Sequence, residues 1–326
     1  MSKTKVIMAD IGIIIVAIVL ISVVQWVMRS ERSKNLETEA VPAPNKLAEI
    51  LARGTLVIAT DPAYPPQSDL IEGAARLADT TCAADQYTAA EFAGFDIDVA
   101  VEIARRLGVE ACFIWWPTWE QVTGGYWKNA WDVSVASMTI TPERMENLYF
   151  TQPYYTTPAA FFVHADNRTF SKPSDLSGRS VGICQGCTYE AYLNGSLDLS
   201  GQKIKFVVRE ATITGYATDM AALHDLTVGD GHQLDAVLTS VPTGQSLIAN
   251  GLPLKQLGAP VFTEYLAVAI DRHHSLDPIP LVERVSDIIQ TMHTNGTLLK
   301  LSQQYYGMDL TTATAEFEVE TLGQNP

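Results

Sequence analysis

Apolar positions along the chain fall into two regimes. From Ile11 to Met28 they form one run, relieved only by Gly12, Ser22 and Gln25. At the helical rise this run covers about 27 Å, enough to cross a hydrocarbon core. Trp26 stands at an interfacial position, and Arg29 and Arg32 close the segment. The run exceeds a typical signal-peptide core and no small-x-small cleavage site directly follows it. Residues 1–28 therefore read as an uncleaved signal-anchor, a transmembrane helix, with a cleaved signal as the alternative. Lys3 and Lys5 precede the run as Arg29 and Arg32 follow it, so flanking charge does not fix its orientation. Residues 29–46 are charged and then Pro/Ala-rich, a linker composition.

Beyond the linker, short β-rich runs alternate with helical spacing. Thr55 to Thr60 reads as a strand and Asp61-Pro-Ala-Tyr-Pro-Pro66 as an extended loop that holds Tyr64 in place. Residues 68–92 read as an irregular insertion. Ile97, Val101, Ala104 and Leu107 recur at helical spacing, and Gly108 ends that helix. Cys112 to Trp116 is the next strand, followed by a weak helix from Thr118 and a buried strand from Asp132 to Ser137. Strands are predicted at Ala159–Val163, Ser180–Cys184, Lys203–Val208 and Leu234–Leu238, with helices from Tyr189 and over Met220–Leu226. Helices at Leu281–His293 and Leu298–Tyr306 are split by the Asn295-Gly296 turn. The polar end, residues 313–326, is expected to be disordered. Repeated βα units imply an α/β fold of doubly wound sheets, which bind ligands beyond the carboxyl ends of their strands.

At 326 residues, two globular units are the natural expectation. A formal charge of −15 excludes nucleic acid as a partner and disfavours anionic lipid. A small molecule or a protein remains. No cysteine precedes Cys82, which excludes a lipoprotein anchor. The four cysteines suit an oxidising compartment, and the preferred pairing is Cys82–Cys112 with Cys184–Cys187. Cys112 as a buried free thiol is the alternative for the first pair. For the C-x-x-C, the alternatives are a zinc site, a redox dithiol or free thiols.

Six segments carry a resemblance in order. Gly54 to Pro66, Gly94-Phe-Asp-Ile-Asp-Val99, Ser137-Met-Thr-Ile-Thr-Pro-Glu-Arg144 and Phe150-Thr-Gln-Pro-Tyr-Tyr155 are followed by Asp235-Ala-Val237 and Asn295-Gly-Thr297 with Tyr305-Tyr-Gly307. Together they resemble the family 3 extracellular solute-binding proteins, the polar-amino-acid receptors of ABC importers. The resemblance covers residues 48 to 312. It implies two α/β lobes joined by two hinge strands, the type II periplasmic-binding fold. Lobe 1 comprises residues 47–156 and 266–312, lobe 2 residues 157–265, and the hinge strands lie near Thr156–Ala160 and Leu266–Ala269. It also implies an extracytoplasmic location, an ABC permease as partner, no cofactor and no metal.

Arg144 follows a hydroxyl-rich strand end, where a guanidinium can grip a carboxylate with two parallel hydrogen bonds. The alternative is a surface salt bridge with Glu143 or Glu146. The resemblance assigns this Arg to the ligand's α-carboxylate, with Thr139 and Ser137 beside it. Gln185, Gly186, Cys187 and Thr188 follow a strand and open a helix, where free N–H groups make an anion site. Tyr64 and Trp119 match positions of rings over the ligand, although Trp119 could simply pack its lobe. Asp61 matches a position that reads the ligand side chain, or else it orients the Pro-rich loop. Two departures stand out. At the position where the family places an acid for the ligand's amine this chain has Ser240, and no carboxylate follows until Glu264. Gln67 replaces an aromatic and makes the pocket more polar. An enzyme on the same scaffold, dehydratase-like, is one rival, with Asp61 as the only clear acid or base. A ligand-sensing receptor subunit is another.

Overall fold

The computed structural model describes residues 24–25, 44–115, 118–199 and 202–317. All but residues 24–25 of the expected transmembrane segment, and most of the linker, lie outside the described residues. Among the described residues, no helix is long and apolar enough to cross a membrane.

The folded unit begins at Asn45. Asn45 caps α1 (Lys46–Arg53) by accepting the Ala48 N–H at 2.9 Å. Then come β1 (Thr55–Ala59), β2 (Ala63–Tyr64), β3 (Ser68–Leu70), β4 (Tyr87–Thr88) and β5 (Phe92–Ala93). The region expected to be an irregular insertion thus contains three short strands. The next helix, α2 (Phe95–Leu107), buries Ile97, Val99, Ala100, Ile103, Ala104 and Leu107 on one side. Gly108 ends it at a φ of 79°, which costs glycine no Cβ clash. Gly94 precedes it at φ 135°, and a Cβ there would lie 2.2 Å from the Gln67 carbonyl oxygen, so only glycine fits. That close approach fixes where Asp96 enters the core.

The chain continues through β6 (Glu110–Ile114), α3 (Trp119–Thr123), β7 (Val133–Thr139), α4 (Pro142–Met145) and β8 (Leu148–His164). After β9 (Ser180–Cys184) and α5 (Thr188–Leu193) follow β10 (Thr212–Tyr216), α6 (Asp219–Leu226), β11 (Ala236–Ser240), α7 (Val241–Ala249) and β12 (Leu254–Asp271). The helices α8 (Ile279–Thr294) and α9 (Thr297–Tyr306) close the fold.

Nine strands form one sheet in the order β10-β9-β11-β8-β12-β7-β1-β6-β4. Its centre is the antiparallel pair β8 and β12, of 17 and 18 residues, each running through both halves of the sheet. The expected crossovers near Thr156–Ala160 and Leu266–Ala269 are interior stretches of these two strands. On one flank β1 runs parallel to β6 and β7; on the other β9 runs parallel to β10 and β11. Each half has apolar packing on both sheet faces. Phe95, Ile103, Phe113 and Val285 belong to the first half, and Phe161, Ile183, Tyr192 and Leu238 to the second. The alternation of βα units therefore gave the right class, a mixed α/β fold.

Four differences from the expected elements stand out. Lys203–Val208 is not a strand: the Tyr192 hydroxyl accepts from Val207 N–H and donates to the Lys205 carbonyl, holding this segment on α5 instead of in the sheet. The strand beside β9 is β10, a partly exposed edge whose Thr-Ile-Thr-Gly-Tyr sequence has little apolar signal. Helix α7 was not expected, and its first turn holds a proline and a glycine. Proline is tolerated in the first turn of a helix, and Gly244 packs against Phe162. Residues 313–317, placed by sequence in the polar tail, are packed: Thr314 is buried and Phe317 stands 5.1 Å from Tyr265, ring to ring.

Both disulfides pair as expected, Cys82–Cys112 and Cys184–Cys187, with Cα separations of 5.4 and 5.5 Å. Lys46 is buried with Asp132 at 2.7 Å, and Asp132 also binds Arg53 and the Val57 N–H, tying α1 to β1.

Candidate functional site

The parallel strands of both flanks aim their carboxyl ends at the central pair β8 and β12. Between them lies a cavity of about 50 Å³. Asp61, Tyr64, Trp119, Ser137, Thr139 and Arg144 reach it from the first half, and Cys184, Cys187, Thr188, Tyr189 and Asp219 from the second. Glu264 enters from β12.

Arg144 is placed by α4. Thr141 caps that helix by accepting the Arg144 N–H at 3.2 Å, and Pro142 pre-sets its first turn. Arg144 is 8% exposed. It donates to the Thr139 carbonyl at 3.0 Å and across the cavity to the Gly186 carbonyl at 3.4 Å. The Trp119 ring centre lies 5.6 Å from its charge, within cation–π reach. Burial lowers its pKa to about 10, against the pull of Glu264 and Glu143. No ion pair of Arg144 with Glu143 or Glu146 is formed among the described residues, so the surface-salt-bridge alternative falls.

Ser137 stands in β7 at a φ of 50°, an unusual setting for a residue with a side chain. A buried network holds it there: its N–H donates to the Tyr154 hydroxyl at 3.0 Å, and its own hydroxyl donates to Asp96 at 2.6 Å. Asp96 also accepts from Tyr154 at 2.9 Å. Burial pushes Asp96 up to about 7, opposed by the Ser137 and Tyr154 hydrogen bonds. The Gly94-Phe-Asp motif therefore supports the pocket floor and does not face the cavity.

The remaining acids differ from expectation most. Asp219 opens α6, is 5% exposed and accepts the Thr239 hydroxyl at 2.5 Å. Burial, then the charges of Asp61 and Glu264, raise it to about 7. Asp61, bound by the Ala63 N–H at 2.8 Å, is pushed up to about 6, mainly by burial. Glu264, 2% exposed, accepts the Thr139 hydroxyl at 2.6 Å and the Thr188 hydroxyl at 2.5 Å. Burial raises its pKa too, countered by those hydroxyls and by Arg144.

Of the residues expected here, Asp61, Tyr64, Trp119, Ser137, Thr139, Arg144, Cys187 and Thr188 line the cavity. Gln185 does not; it is exposed and lies against Gly215. Ser240 does not either; it caps α7 through Thr243, behind Tyr64. The expected row of free N–H groups is also corrected. The Gly186 N–H donates to the Glu190 carboxylate at 3.0 Å and the Cys187 N–H to the Cys184 carbonyl at 3.3 Å. Thr188 contributes its hydroxyl instead. The Cys184 and Cys187 sulfurs lie within 4.8 Å of the Asp219 carboxylate, and as a disulfide they offer no thiolate to a metal. Asp219, Tyr189 and Glu264 were missed as site residues. The Thr218-Asp219 pair preceding an apolar-periodic helix was the available signal for Asp219.

Two half-sheets crossed by a central strand pair, with charged side chains of both converging on one buried cavity, define a protein that captures a small polar solute. Residues 79–308 match the model of the bacterial extracellular solute-binding proteins, family 3, and the chain belongs to that family. It is 26% identical to the L-cystine-binding protein TcyJ of Escherichia coli (strain K12) over 81% of this chain and 87% of that protein. It is 25% identical to the L-arginine-binding protein of Pseudomonas aeruginosa over 68% and 82%. Among solved structures, a mutant of ArgBP from T. maritima aligns at a TM-score of 0.64 with 22% identity, covering 81% of this chain and all of that one, and supports the fold. An ancestral amino acid-binding protein, described as a precursor of cyclohexadienyl dehydratase, aligns at 0.63 with 26% identity over 81% of this chain and all of that one.

Proposed function

We propose that the protein is the extracytoplasmic receptor of an ABC importer and captures an amino acid by closing two lobes upon it. Residues 47–156 with 266–312 form one lobe and 157–265 the other, hinged at the interior of β8 and β12. Residues 1–28 anchor it to the membrane, or direct its export and are removed. The observation that carries the reading is the convergence of Arg144 and Thr139 from one half with Thr188 and Asp219 from the other on one cavity. Arg144, stacked on Trp119, takes the ligand's carboxylate, and Asp219 takes the amine in place of Ser240. Tyr64 and Tyr189, whose hydroxyls are 3.4 Å apart across the cleft, close over the ligand. The cavity is far smaller than the roughly 300 Å³ at which ligand pockets begin, so the lobes part to admit a ligand.

The test is thermal unfolding of the purified protein with each amino acid at millimolar concentration. One or more should raise the midpoint by several degrees, as mass action requires of a ligand bound only by the folded state. Arg144→Ala should abolish the rise, and the ligand should be recovered chemically unchanged. No rise with any amino acid would refute the reading, and a product in place of the ligand would replace it with an enzyme.

A further inference from the structure

The amino-acid reading leaves open what the rest of the ligand carries, and the pocket's own charges bear on that. Three carboxylates, Asp61, Asp219 and Glu264, face one guanidinium in the same buried cavity. Arg144 already spends two donors on the Thr139 and Gly186 carbonyls. Glu264 is not a bystander on the rim. Hydroxyls from both halves, Thr139 and Thr188, pin its Oε1, at the place where a ligand carboxylate was expected to meet them. Burial already favours the protonated form of these three acids, and a zwitterion offers them only one ammonium. A ligand with an additional cation can pair with a second carboxylate in place of its proton, where water is excluded and an unpaired charge is costly.

We propose that Glu264 is a specificity-determining residue of this pocket and selects amino acids bearing a second cationic group, so that the ligand enters with net positive charge. This rests on the amino-acid reading. The ligand's carboxylate lies on the Arg144–Trp119 side, its α-ammonium meets Asp219, and its side-chain cation meets the Glu264 carboxylate held by the two threonines. The threonine hydroxyls are donors, so they keep that carboxylate oriented while the ligand is absent.

The experiment is calorimetric titration of the full-length protein with four probes: L-ornithine, L-glutamine, L-glutamate and putrescine. A charge-assisted hydrogen bond predicts that ornithine binds about 10- to 100-fold more tightly than glutamine, with glutamate weakest. Glu264→Gln keeps the shape and an oxygen for both threonines; it should weaken ornithine by a similar factor and leave glutamine unchanged or improved. Glutamine equal to or tighter than ornithine would overturn the proposal while leaving the amino-acid reading intact. So would a Glu264→Gln variant that loses both ligands equally, since that is the mark of a merely structural residue. The wild-type ranking decides the matter even where the variant does not fold. Putrescine binding as tightly as ornithine would remove the carboxylate from recognition, and silence from every amino acid would overturn the functional reading and this proposal together.

Discussion

Acidification from about pH 8 to about pH 5 is expected to weaken ligand capture by up to about 100-fold, and Asp219 sets most of that change. Its carboxyl is buried at the N-terminus of α6, raised to about 7 first by burial and then by Asp61 and Glu264. An ammonium pairs with this group only after its proton has left. With a free-site pKa of about 7, and the bound carboxylate held charged by the ammonium, two pH units of competition by protons give the factor of about 100. Asp61, pushed up to about 6, steepens the loss in the same direction.

Stability of the ligand-free protein runs the other way. The folded pKa of Asp219 stands above its ordinary value of 3.8, so between about pH 4 and 7 the folded protein holds a proton that the unfolded chain has released. Stability therefore falls as pH rises through that window. The loss is complete above about pH 7 and is on the order of 4 kcal/mol for this one group. Calorimetric titrations at constant ionic strength, paired with urea unfolding at the same pH values, read both trends. Asp219→Asn should flatten both, weakening binding at neutral pH while stabilising the ligand-free protein. An affinity constant across this range, or a slope that survives unchanged in Asp219→Asn, would refute the assignment of the amine to Asp219.

Three further outcomes test the packing around the site. Replacing Cys82 and Cys112 with alanine opens a crosslink of sequence separation 30 and should cost about 3–4 kcal/mol in urea unfolding, with ligand affinity unchanged because the pair lies away from the cavity. Gly244→Ala places a Cβ 2.1 Å from the buried Phe162 ring, so the gain in helix propensity is outweighed and about 2 kcal/mol is lost; Phe162→Leu in the same chain should recover part of it. Asp132→Ala leaves Lys46, 1% exposed, with Glu49 at 3.2 Å but without its buried partner, and should cost about 3 kcal/mol by the same measurement.

The parts of the fold legible in sequence are those where local signals agree with tertiary packing. Helices α2, α8 and α9 carry apolar residues at helical spacing between glycine, proline or asparagine ends, so their limits were found closely. Arg144 was legible through the hydroxyl-rich strand end before it and the resemblance carried by Ser137 to Arg144; the short helix that Thr141 and Pro142 start, which positions the side chain, was not read. Elements that depend on distant partners were not. Lys203–Val208 has the composition of a strand, yet the Tyr192 hydroxyl claims its backbone. Strand β10 is a half-exposed edge defined by its pairing to β9, with no pattern of its own.

That one missed strand explains the missed acid. Doubly wound sheets place ligands beyond the carboxyl ends of their strands, so a residue is a candidate only once its strand is recognised. With Thr212–Tyr216 unread, nothing singled out Asp219, and Ser240, at the end of the recognised strand β11, looked like an unfilled position. In the structure the two positions adjoin, since Thr239, the residue before Ser240, donates to Asp219. A ligand's ammonium requires negative charge at a point in space, and neighbouring parallel strands both end beside that point. Moving the carboxylate from the end of β11 to the helix start after β10 therefore preserves the electrostatics while changing the sequence motif. It also puts that carboxylate against the Cys184–Cys187 disulfide. The bridge holds the loop carrying Thr188, and Thr188 in turn donates to Glu264, so the two acids proposed to meet the ligand share one supporting turn.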